Sequence, residues 1–193
     1  MKRVLVFAAV MAVMLVGAVV PAHAVLVTYS TTGSLNGGGN VFTVGGLTVT
    51  FNGLTNQDVN IVGGFSNASL GVFHVDVTGT GGTIPAATPV SILITQTVPS
   101  AGSGSVSGTM EGTISATSSN GLVTFDVTHV NIGLVSYDVR SNPLDLVPPS
   151  TNNGDATVQA RVTVTPEPST LVLVGTGITG LAGMVRRRLA RRL

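Results

Sequence analysis

His74 and Asp76 stand two apart in Phe73-His74-Val75-Asp76-Val77, a spacing that puts an imidazole and a carboxylate on one strand face, opposite Phe73, Val75 and Val77. Such a pair has the chemistry of two metal ligands, or of a base with its orienting acid. A solvent-facing polar strand face explains it with less. His129 shares parity with Val123, Phe125 and Val127, which predicts a core-edge or strand-end histidine pointing away from Asp126. The oxygen-rich residues 152–155 could offer calcium ligands, yet they match no EF-hand or RTX spacing. G-x-S-x-G, H-E-x-x-H and readable carboxylate pairs are absent. Gly175, Gly177 and Gly180 satisfy G-x-G-x-x-G, but within an apolar run and without the βαβ unit or the acid about 20 residues on that would hold a ribose. Small residues packing in a membrane helix account for them better. With no cysteine in the chain, thiolate metal sites, Cys nucleophiles and redox chemistry are also excluded. The sequence therefore predicts no catalytic residue, no metal, no cofactor and no enzyme.

The elements that carry these residues are strands. Residues 105–116 alternate strictly, with Val106, Met110 and Ile114 on one side and Thr109, Glu111 and Thr113 on the other, a separation that only period 2 achieves. Val158, Ala160, Val162 and Val164 alternate with polar residues in the same way. Further strands are expected over 25–30, 47–51, 59–62, 70–77, 90–97, 122–130 and 134–139, rich in β-branched residues. Gly- and Asn-rich clusters such as Asn52-Gly53 and Asn120-Gly121 supply the positive φ of tight turns between them. Residues 85–89 and 142–155, with their prolines, read as loops. The expected fold is all-β: one antiparallel, sandwich-like domain of about eight to ten strands over residues 25–165. A β-solenoid is disfavoured by the lack of a repeat period.

The two ends differ from this body. Lys2 and Arg3 precede an apolar stretch over 4–20; Pro21 and the small residues Ala22 and Ala24 then form a signal-peptidase site, making residues 1–24 a signal peptide. At the other end Pro166-Glu167-Pro168 is followed by an apolar run over 171–185 and by Arg186, Arg187, Arg188, Arg191 and Arg192. Two prolines fix φ and remove two donors, which favours an extended, accessible element. The apolar run can enter a bilayer, and the arginines act as a topological stop that holds their end in the cytoplasm. A signal-peptide helix and a transmembrane helix should thus flank the domain.

The order of motif, apolar run and arginine cluster over 166–193 resembles the PEP-CTERM sorting signal of exported bacterial proteins. In that family the motif lies just outside the membrane and is recognised by a membrane-embedded exosortase. The resemblance implies that Pro166, Glu167 and Pro168 are the recognition element and that the helix retains the precursor temporarily. It does not extend to the body of the chain.

Between Val25 and Thr165 only Arg140 and Arg161 oppose seven acids, a net charge of −5, which excludes a sequence-independent nucleic-acid binder. The expected function is that of an exported, exosortase-processed protein of the cell surface or extracellular matrix, with a structural, adhesive or binding role. Its expected partners are signal peptidase, an exosortase, the membrane through the C-terminal helix, and exopolysaccharide or matrix. The alternatives are a secreted hydrolase with an unrecognised site around His74, or a permanently anchored single-pass membrane protein.

Overall fold

The period-2 segments fold into twelve strands in the computed structural model, which describes residues 24–165 and, beyond them, Gly175, Gly177, Ile178 and Gly180. The strands are β1 (Val25–Leu35), β2 (Val41–Val44), β3 (Leu47–Asn52), β4 (Gln57–Ile61), β5 (Phe65–Val77) and β6 (Gly82–Val98), then β7 (Gly102–Ile114), β8 (Leu122–Val127), β9 (His129–Ile132), β10 (Val135–Val139), β11 (Leu144–Asp145) and β12 (Asp155–Val164). They form two six-stranded antiparallel sheets. The first runs β11-β8-β7-β6-β1-β4 and the second β2-β3-β5-β12-β10-β9. The expected flanking helices over 4–20 and 171–185 lie outside the described residues, except that Gly175, Gly177, Ile178 and Gly180 are helical. No helix among the described residues is long and apolar enough to cross a membrane.

Several boundaries differ from the sequence expectation. Residues 85–89 are not a loop: β6 runs through them, absorbing Pro85, Ala86 and Ala87 as a bulge between Ile84 and Thr88, with Ala87 at φ +58°. Proline is tolerated at a bulge because the ladder bond it cannot donate is already missing there. The 142–155 segment is also partly ordered, since Leu144 and Asp145 pair with β8 and Leu146 is buried. The strand expected over 122–130 is two strands. The chain leaves the first sheet after Val127 and enters the second at His129, so the alternation is reset and Val127 is exposed rather than buried.

Between the sheets lies one core built mainly of Val, Ile, Leu and Phe, including Phe51 stacked edge-on against Phe73 at 5.1 Å. Apolar contacts of this kind are non-directional and fix neither sheet's position along the other. Direction comes from a few buried polar groups that bridge the gap. Tyr29 of β1 donates its hydroxyl to the Ser69 carbonyl of β5 at 2.5 Å, and Thr31 donates to the Leu70 carbonyl at 2.7 Å. Tyr137 of β10 donates to Gln96 Oε1 of β6 at 2.8 Å, and Gln96 Nε2 donates in turn to the Ser100 carbonyl at 2.8 Å. The two tyrosine rings meet edge to face at 5.6 Å. Desolvation pushes the Tyr29 phenol up to about 12 and raises that of Tyr137 as well, so both remain neutral donors.

Tyr137→Phe tests this bridge, because it removes the donor and leaves Gln96 Oε1 buried without a partner. A loss of about 1–3 kcal/mol in unfolding free energy is expected from urea denaturation, the cost of an unsatisfied buried acceptor. A change near zero would show that the bridge contributes nothing to stability.

Candidate functional site

His74 faces outward because of one extra residue in its strand. β5 buries Ala68 and Leu70, then Phe73 and Val75, a change of parity made by a bulge in which Leu70 is left over between Gly71, paired with Val158, and Ser69, paired with Gln159. Gly71 sits at φ +131°, and a Cβ there would lie 2.5 Å from Phe51 Cζ. Only glycine fits both constraints. Beyond the bulge His74 and Asp76 share the outer face, as the spacing predicts, and Asp155 of β12 stands directly across from His74.

That third residue completes the cluster. His74 Nδ1 lies 2.7 Å from Asp155 Oδ1, and Nε2 lies 3.3 Å from Asp76 Oδ2. The 3-10 turn Asn152–Gly154 delivers Asp155 to this place, with Asn152 Nδ2 donating to the Asp155 carbonyl at 2.7 Å and Gly154 packed against the Val75 carbonyl. The Asp155 hydrogen bond, joined by the charge of Asp76, holds the imidazole pKa above its ordinary value against a desolvation that lowers it. Two carboxylates on two ring nitrogens favour the imidazolium, in which both nitrogens donate. A general base needs one nitrogen with a free lone pair aimed at a nucleophile. Here both face acids. Among the described residues no group of three or more His, Asp or Glu is set to hold a metal ion.

His129 opens β9, at a strand end as one half of the expectation has it, and is exposed rather than at the core edge; its Nδ1 lies 2.5 Å from Asp138 Oδ1 on β10. The sheet change at Thr128 reverses the parity on which the core-edge expectation rested. Asp126, on β8, lies in a different sheet from His129 and lines a shallow groove of about 340 Å³ with Ser34, Pro89, Ser91 and Ser107.

The groove belongs to a broader feature of the first sheet. On its outer face, Ser34, Ser91 and Ser107 are cross-strand neighbours, and successive rows hold Thr32, Leu93 and Ser105, then Ser30, Thr95 and Ser103. β1 and β6 contain no charged residue and β7 only Glu111. The result is a field of hydroxyls with Leu93 exposed at its centre and Asp126 at its margin.

Of the residues predicted to direct sorting or processing, Ala22, Pro166, Glu167, Pro168, Arg186, Arg187, Arg188, Arg191 and Arg192 lie outside the described residues. Ala24 opens the described part, one residue before β1. At the other end Thr165 N donates to the Leu134 carbonyl at 2.9 Å, so the ordered domain reaches the threshold of Pro166.

Comparison with known families adds one match. Residues 164–192 match the PEP-CTERM protein-sorting motif, which points to an exported protein processed by an exosortase. No curated protein and no solved structure matches the chain.

The His74 cluster sets a pH test. A raised folded pKa contributes stability that is complete below the unfolded imidazole value of about 6.5 and is lost as pH rises through the folded value. His74→Gln should therefore destabilise the domain by about 1 kcal/mol or less at pH 5.5, the scale of a partly exposed ion pair, and by nothing measurable at pH 9. Urea titrations at the two pH values read the difference. An equal loss at both would mean that the side chain acts by packing alone.

Proposed function

We propose that this protein is an exported, exosortase-processed component of the cell surface or extracellular matrix, and that its β domain acts by contact, without catalysis. The observation that carries this reading is the position of the sorting motif: the match begins at Val164, the last residue of β12, so the domain ends where the signal begins. In this reading Pro166, Glu167 and Pro168 are recognised by the exosortase. Residues 171–185 retain the precursor in the membrane, and the five arginines from Arg186 to Arg192 stop its translocation. Signal peptidase cuts after Ala24, leaving Val25 as the first residue. The 15-residue apolar run makes about 22 Å of helix against a hydrocarbon core of about 30 Å, which suits temporary retention better than permanent anchoring.

The contact role rests on the outer face of the first sheet. Hydroxyls spaced by the strand pairing, in three rows that themselves carry no charge, suit the hydroxyl-rich surface of a neutral polysaccharide. No aromatic ring stands in the rows of that face, so each contact is weak and attachment depends on many of them. The hydrolase reading centres on His74, and the double carboxylate environment of its imidazole argues against it.

Glu167→Ala removes the only charge in the recognition element. In a host with an exosortase the variant should still lose its signal peptide, yet keep residues 171–193 and accumulate in the membrane, as mass spectrometry of both termini would show. Processing at the wild-type rate would remove the main support for sorting. For the contact role, the released domain should co-sediment with the host's exopolysaccharide, and Ser91→Glu with Ser105→Glu should abolish that. Unchanged co-sedimentation would place the contact elsewhere.

A further inference from the structure

Both ends of the domain leave it at the same place. Val25, the first residue of β1, pairs with Ile61 at the end of β4; Val62 bridges to Phe65 across the Gly63-Gly64 turn; and Phe65 pairs with Thr163 near the end of β12. Val164 N donates to the Gly64 carbonyl at 3.3 Å. The β4–β5 turn therefore stands between the entry and exit points of the chain. The β9–β10 turn adjoins it through the Thr165–Leu134 bond, and the β6–β7 turn through the register of Val98 with Thr28.

This end differs in chemistry from the other. Residues 24–27, 60–67, 97–104, 130–137 and 162–165 contain no charged side chain. Four large apolar side chains are exposed here, Leu26, Val62, Phe65 and Val98, with Val62 60% and Phe65 47% accessible. The nearest charge along β12 is Arg161, whose guanidinium lies 3.9 Å over the Phe65 ring. The acids Asp76 and Asp155 lie towards the opposite end, beside the β5–β6 turn and the Asn152–Gly154 turn. β5 alone has 13 residues, so the two ends are about 40 Å apart.

We infer that this uncharged end rests on the outer surface of the bilayer in the tail-bearing precursor, with Val62 and Phe65 in the headgroup layer. The inference rests on the reading of residues 171–185 as a membrane segment. Leu171 follows Thr165 by six residues, a reach of at most about 22 Å even when fully extended. With Thr165 bonded to Leu134, the tether cannot carry the domain away from the lipid, and the end from which the tether leaves is the end that meets it. Exposed apolar side chains gain by partial burial in the interface. The acids nearest this end, Asp58 on β4 and Asp138 on β10, stand three and four residues in from it, about 10–13 Å and beyond one Debye length from anionic headgroups, and Asp138 is paired with His129 and stands opposite Arg161. The occupant of this patch is therefore the lipid surface, and the recognition element is confined to the narrow space between the domain and the membrane. An exosortase working within the membrane would meet it there.

The absence of cysteine makes single labelling straightforward. Full-length Val62→Cys, at the proposed contact, and Thr80→Cys, in the exposed β5–β6 turn, would each carry an environment-sensitive fluorophore and be reconstituted in phosphatidylcholine–phosphatidylglycerol vesicles containing a headgroup-level nitroxide lipid. The expected result is strong quenching with a blue shift at position 62 and neither at position 80. Vesicle flotation is measured on the same samples. Protein that floats with position 62 unquenched overturns the inference alone. Protein that does not float overturns the membrane-segment reading and the inference with it. Quenching equal at both positions overturns the inference by showing that the domain has no preferred end. A Phe65→Ser, Val62→Cys chain that floats but loses most of the quenching would tie the contact to the apolar patch rather than to the tether.

Discussion

The hydrogen bonds that Tyr29, Thr31 and Tyr137 send across the core hold the two sheets in one relative position. Within a sheet the ladder fixes register, but between sheets made of Val, Ile and Leu many sliding positions bury nearly the same area. A phenol that must reach one carbonyl, or a buried amide that must be satisfied on both sides, has far fewer solutions. Tyr29 and Thr31 reach Ser69 and Leu70, the residues just before the Gly71 bulge, so the same contact that aligns the sheets also sets where β5 changes parity. The outward position of His74 follows from that bulge, and so does its meeting with Asp155.

The three surfaces of the domain divide its properties. Asp76 and Asp155 stand at the end away from the termini, the first sheet presents hydroxyls, and the tip holding both termini is apolar, with Asp58, Asp138 and Arg161 the nearest charges behind it. The His74 cluster belongs to the charged part and behaves as an ion pair that fastens the start of β12 to β5. Asp155 is the first residue of β12, and its pairing closes the 3-10 turn against Val75. A histidine held this way contributes to order at a strand start, a different role from that of a base waiting for a substrate.

Strand content was legible in the sequence wherever alternation was unbroken. β7 and the later part of β12 match their period-2 patterns almost residue for residue, because each buries one face and exposes the other throughout. Where the chain changes face or sheet, the pattern misleads. The Leu122 to Val130 stretch reads as one strand since β-branched residues continue through it, and nothing local marks Thr128 as the point of transfer. Pro85 and Pro89 suggest a loop because the bulge that takes up Pro85 is defined only by the partner strand β7, with which Pro89 pairs in register opposite Thr109. Nothing in the sequence marks Asp155 as the partner of His74, from which it is separated by 81 residues. Its position after an Asn-Asn-Gly turn signals a strand start, but strand order decides what lies opposite. The sorting motif was legible because it is a linear signal that depends on no tertiary partner.

The widths of the outer strands carry a consequence of their own. The sheets end in β11 with two residues, β2 and β9 with four each, and β4 with five, whereas the strands inside run to 17. A long bare edge would offer a template for a neighbouring copy, and crowded copies would add strand to strand into a fibre. Short edges offer too few ladder bonds to start such growth. Many copies can therefore stand side by side as separate units, which lets local concentration rise without polymerisation.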